Sequence, residues 1–171
     1  LEQLASILEG TLALGASQAI EKCFGKEEFC VWRAAVRATS IEDCGEKLIE
    51  IPERDFPRFH PHSYVEAGAP YLAASPFMLR EGVVERLFSA LKLLRREREG
   101  WGLKIFDGYR PLRVQRFLVQ HFYRRLVDER GLQEKDLSEA ERASLLQEVF
   151  QIVAEPNEDP RHPTPHSTGG A

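Results

Sequence analysis

The sequence predicts one domain that mixes amphipathic helices with a few short strands. Apolar residues recur at helical spacing in three long stretches after position 80. Two brief runs, 47–51 and 101–106, carry strand character instead. The third observation is bulk: 171 residues, 43% of them hydrophobic, can bury a real core.

Charge and cysteine usage narrow the function classes. Net charge is −4, and Arg alternates with Glu in runs such as Arg95-Arg96-Glu97-Arg98-Glu99. That run reads as a solvated helix end, and no basic face is offered to nucleic acid. No apolar run approaches the ~20 residues of a membrane span. Neither nucleic acid nor membrane is therefore an expected partner. Cys23, Cys30 and Cys44 are odd in number and lack CxxC spacing, which fits thiols in a reducing compartment better than a disulfide framework or a zinc knuckle. Residues 1–20 are too broken by polar side chains for the apolar core of a secretory signal, so the cytoplasm is the expected location. The chain opens on Leu1, as a trimmed product would, and a periplasmic or exported location stays open.

Taken in order, Leu1, Leu4, Ile7 and Leu8 outline an amphipathic N-terminal helix, weakened near Gly10 and Gly15. Residues 29–38 fit a strand or a short buried helix equally well, and no chemistry is visible before about Thr39. The texture then changes. Residues 1–38 are read as an extension and 39–171 as the domain proper. Residues 47–51 form a short strand closed by Pro52. Five prolines punctuate 52–76, yet Phe56, Phe59, Tyr64 and Tyr71 anchor it, so an ordered, winding, site-lining loop is expected.

Residues 81–99 form a helix with Val84, Leu87, Phe88, Leu91 and Leu94 on one face, stopped by Gly100. A buried strand is expected over 101–106, with Leu103 and Ile105 pointing one way. Asp107-Gly108-Tyr109-Arg110 leaves it as a turn, and Pro111 takes the first position of the next helix. Val114, Phe117, Leu118, Phe122 and Leu126 give that helix its stripe, and Gly131 breaks it. Ser138 and Glu141 make a capping box for a last helix with Leu145, Leu146, Val149 and Val153 inward, closed by Pro156.

Two places can carry chemistry. Asp107 and Arg110 face each other across a strand-to-helix turn. The pair is either a structural clamp or a held guanidinium with donors spare for a carboxylate or an oxyanion. His166 lies between Pro165 and Gly169-Gly170, stiff enough for a metal ligand, although a histidine near a chain end is, taken alone, more often just solvated. His162 cannot share a helical face with it, because Pro163 and Pro165 intervene. His60 and His62 read as packing and hydrogen-bonding residues of the loop, and His121 as a core-edge residue of its helix.

Together these pieces resemble a known family. Ile105-Phe106-Asp107-Gly108-Tyr109-Arg110-Pro111 with Val114-Gln115 looks like its "FDxYRP…VQ" turn. Thr164-Pro165-His166-Ser167-Thr168-Gly169-Gly170-Ala171 looks like the start of its zinc motif, Ser/Thr-x-His-x-x-Gly-x-Ala-x-Asp. Cys44-Gly45-Glu46, Pro61-His62-Ser63-Tyr64, Gly68-Ala69-Pro70-Tyr71 and the residues from Ser75 to Arg80 also match. The likeness, from about Ile41 to Ala171, is to zinc D-alanyl-D-alanine dipeptidases, the VanX-like members of the LAS (M15) metallopeptidases.

The resemblance implies an α+β fold with helices packed on a small antiparallel sheet. It implies a Zn2+ cofactor with His166 as first ligand, and a small D,D-dipeptide as substrate. It implies that Arg110 is catalytic, stabilising the transition state, that Asp107 orients it, and that Thr164 and Ser167 bind substrate or support the site. The remaining ligands and the catalytic Glu of the pattern fall beyond Ala171. The expectation is therefore a chain that lacks the C-terminal part of its domain, whose partner can be a C-terminal fragment of the same protein. Two other functions remain on the table: a D,D-carboxypeptidase or endopeptidase of the same superfamily, and an inactive binding module with this fold.

Overall fold

A computed structural model describes residues 38–170. The N-terminal helix, Cys23, Cys30 and all of the 29–38 stretch except Ala38 lie outside the described residues.

The proline-rich loop is closed at its two ends by strands that pair with each other. β1 (Leu48–Glu50) runs antiparallel to β2 (Met78–Arg80), with Leu48 opposite Arg80, Ile49 opposite Leu79 and Glu50 opposite Met78. β1 falls within the expected strand; β2 was not anticipated. The register sends Leu79 into a first core cluster with Ile51, Phe56, Val84 and Leu91, and Ile49 packs against its edge. Between the strands the loop is ordered as expected, with Phe56 and Tyr71 buried and a single helical turn, α1 (Ser63–Glu66).

The strand expected over 101–106 does not form. Ile105 makes one isolated parallel bridge with Arg58, donating to the Pro57 carbonyl and accepting from Phe59 N–H at 2.8 and 2.9 Å. Its neighbour is the loop itself, and Pro57 has no N–H with which to extend a ladder. Leu103 and Ile105 nonetheless pack on the first cluster together, as their spacing required.

Three long helices complete the α+β arrangement. α2 (Glu81–Glu97) starts directly from β2 and buries Val84 and Leu91. α3 (Leu112–Glu129) starts one residue later than expected: Pro111 is its N-cap, with ψ 148°, rather than its first helical residue. Proline fixes φ at a helix-compatible value but leaves ψ free to stay extended. Gly131, at φ +63°, turns the chain after α3. α4 (Glu139–Ile152) opens with the expected capping box, in which Ser138 N–H donates to Glu141 Oε2 at 2.8 Å and Glu141 N–H to Ser138 Oγ at 3.3 Å.

α3 is the spine between two further clusters. Val114 and Leu118 pack with Ala69, Tyr71 and Val153, while Tyr123 and Val127 pack with Leu137, Leu145 and Val149. No helix among the described residues is long and apolar enough to cross a membrane.

Candidate active site

Two segments dock on β2, one at each end. The turn after Phe106 docks at its start through Gly108 N–H, which donates to the Pro76 carbonyl at 2.7 Å. A Cβ on Gly108 would lie 2.6 Å from the Met78 carbonyl oxygen, so a larger residue would push the turn off the strand. The C-terminal motif runs along the other end of β2: Arg80 N–H donates to the Gly169 carbonyl at 2.8 Å, and Arg80 Nε to the Thr168 carbonyl at 2.7 Å. Gly169 adopts φ +71° to make that approach. One further bond ties turn to motif directly, from Arg110 N–H to the His166 carbonyl at 2.8 Å.

The Asp107–Arg110 pair forms as its spacing suggested. Arg110 Nε donates to Asp107 Oδ2 at 3.0 Å, and Nη2 donates to the same oxygen. The two side chains are 11% and 3% exposed, so the pair is shielded from water and salt. Nη1 donates to Gln115 Oε1 at 3.0 Å, and the guanidinium lies 5.0 Å from the centre of the Tyr64 ring. These bonds leave one N–H over on each terminal nitrogen.

Gln115 is fully buried, and its amide also donates to the Ala154 carbonyl beyond α4. The sequence reading gave it no role. A polar residue on the apolar stripe between Val114 and Leu118 was the available signal, since such a side chain is buried only with partners.

His166 sits beside this pair. Its backbone is left-handed at φ +65°, a conformation a non-glycine residue adopts only when its surroundings impose it. Burial lowers its pKa, and the Arg110 charge lowers it further, so the ring is neutral at pH 7. Its Nδ1 is buried without a hydrogen-bond partner. Thr164, also buried, spends its hydroxyl inward: Oγ1 accepts from Asn157 N–H at 2.7 Å and donates to the Glu155 carbonyl at 3.3 Å. Ser167 Oγ donates to the Thr164 carbonyl at 2.6 Å. Both hydroxyls thus brace the loop that presents His166.

The other histidines stay apart from His166 or take other work. His162 pairs with Asp159 at 3.2 Å, and His121 stacks on Phe117 at 5.8 Å between ring centres. His60 is exposed, while His62 is packed, as expected, but has no hydrogen bond. Among the described residues no group of three His, Cys, Asp or Glu side chains is gathered to hold a metal ion. His166 thus has the buried neutral ring that one metal ligand needs, without two further such side chains gathered round it among the described residues.

A held guanidinium beside a neutral imidazole is equipment suited to hydrolysis at a carbonyl group. Comparison with known proteins agrees. The sequence profile of the Peptidase_M15 family, D-ala-D-ala dipeptidase, matches residues 58–171. The D-alanyl-D-alanine dipeptidase of Synechocystis sp. is 40% identical over 134 residues, which cover 78% of this chain and 54% of that protein. The chain thus spans about half the length of the curated relative it matches. No solved structure matches it. The chain belongs to the D-ala-D-ala dipeptidase family of M15 peptidases.

Proposed function

We propose that this chain is part of a zinc-dependent dipeptidase that hydrolyses D-alanyl-D-alanine, with residues 39–171 carrying the substrate-orienting side of the site. The observation that supports it most is the bond from Arg110 N–H to the His166 carbonyl, which ties together the two backbone positions that carry the guanidinium and the imidazole. His166 is one ligand for zinc, and the others come from outside the described residues. Bound zinc supplies a polarised scissile carbonyl and an activated water at neutral pH.

The chain's own residues do the rest. Asp107 and Gln115 hold the guanidinium plane, and its spare N–H groups face the substrate carboxylate in the ground state or the oxygen on which charge develops. Holding them in advance means that little reorganisation is left for the reaction. Thr164 and Ser167 keep the His166 loop rigid, so that the imidazole meets the metal without rearranging.

Arg110→Ala in the full-length protein tests this. With zinc content retained, its kcat on D-Ala-D-Ala should fall by about a hundredfold or more, the size of loss seen when one oxyanion donor is removed. A kcat near that of the wild type, measured with zinc bound, removes Arg110 from the mechanism.

A further inference from the structure

Unpartnered buried polar atoms concentrate behind the Asp107–Arg110 pair: both ring nitrogens of His62, the Tyr71 hydroxyl and Asp107 Oδ1. His62 is 4% exposed. It stacks on Phe106 at 5.4 Å and 28°, and meets Tyr64, Tyr71 and Phe77 edge-on at 5.2, 6.0 and 5.4 Å. A phenylalanine would fill that aromatic box without leaving polar atoms unsatisfied, so an imidazole there calls for a reason.

The surroundings supply one. Phe106, on which the ring stacks, is the residue before Asp107. Oδ2 of Asp107 takes both bonds from Arg110, which leaves Oδ1 for this side. After burial, the Asp107 charge is the next largest influence on the titration of both His62 and Tyr71. The Asp107 carboxylate acts on the Tyr71 phenol, and the Phe106 backbone on the His62 ring, without either pair closing a hydrogen bond. Tyr71 is held in place from α3, where Arg113 Nε and Nη2 donate to the Pro70 and Tyr71 carbonyls at 2.7 and 2.5 Å. A bridging water needs two to four polar partners. His62, Tyr71 and Asp107 provide them.

We propose that His62 is a positioning residue for the catalytic pair: together with Tyr71, directly or through one bridging water, it hydrogen-bonds Asp107 Oδ1 and so fixes the carboxylate that aims the Arg110 guanidinium. The inference rests on the function proposed above. His62 touches no substrate; it acts through Asp107.

The test uses the full-length protein with D-Ala-D-Ala as substrate. His62→Phe keeps the aromatic box and removes both nitrogens. It should melt no lower than the wild type, lose kcat by about tenfold and keep KM within about twofold. His62→Gln restores a donor and an acceptor and should regain part of the loss. Tyr71→Phe should resemble His62→Phe, and the double variant should be no worse than the poorer single one, because both act on one oxygen. Independently of turnover, the Arg110 Nε–H signal in nitrogen-15 NMR should be sharp and slow to exchange in the wild type and broadened in His62→Phe.

Full kcat in His62→Phe, an unperturbed Arg110 signal, or losses that multiply in the double variant would overturn the proposal. So would a loss of kcat matched by an equal loss of folded protein. Should His62→Phe fail to fold, His62→Gln and Tyr71→Phe carry the same readouts. A wild type that does not hydrolyse D-Ala-D-Ala removes the proposed function instead, and the NMR signal alone then decides the role of His62.

Discussion

Gln115 is the polar residue on which the guanidinium most depends after Asp107. It accepts from Arg110 and donates to the Ala154 carbonyl, so it couples the site to the end of α4. Leucine would fit the same space but would leave both partners unpaired in dry surroundings. Gln115→Leu should therefore cost about 1–3 kcal/mol of stability. If the full-length protein has the proposed activity, kcat/KM should also fall by roughly tenfold. Urea titration and steady-state kinetics check the two effects separately, and an unchanged kcat/KM would show that Asp107 alone suffices. Asp107 and Arg110 were legible because they are three residues apart and the turn that joins them is local. His62 and Tyr71 were not legible as parts of the same site. They come from a loop with no periodicity, and only its return along β1 and β2 brings them behind Asp107.

Elements with a long period were the easiest to read. α2, α3 and α4 each carry several turns of apolar stripe, and the α4 start carries its own chemical mark. Ser138→Ala removes the acceptor for Glu141 N–H and undoes the capping box, which should cost about 0.5–2 kcal/mol. The cap is exposed and remote from Arg110, so kcat should not change; thermal melts beside an activity assay measure both. Short strands gave the opposite outcome. β2 has three residues, too few for alternation to show, and it exists because β1 pairs with it. The 101–106 run had the right alternation but met a proline-rich neighbour that could not continue a ladder. Strand pairing is a property of two segments, and one segment's pattern cannot report its partner's missing donor.

At the scale of the molecule, the buried titratable groups of the candidate site limit the pH range over which the fold holds. Burial lowers the pKa of His62 and of His166 below the ordinary imidazole value, and raises the Tyr64 and Tyr71 phenols above theirs. The signs follow from proton uptake. Below about pH 6.5 the unfolded chain protonates both histidines while the folded chain does not, so stability falls as pH drops through 6.5 toward the lowered values. Above about pH 10 the unfolded phenols ionise first, so stability falls again as pH rises. Between these limits the four groups contribute no slope. Melting temperature should therefore rise from pH 5 to 7, stay level to about pH 9, and drop beyond pH 10. His62→Phe should make the acid limb shallower, with His166 keeping part of it, and Tyr71→Phe the alkaline one, with Tyr64 keeping part of it. An acid limb as steep in His62→Phe as in the wild type would assign the slope to His166 and the exposed carboxylates, and would mean that folding leaves the proton affinity of His62 unchanged.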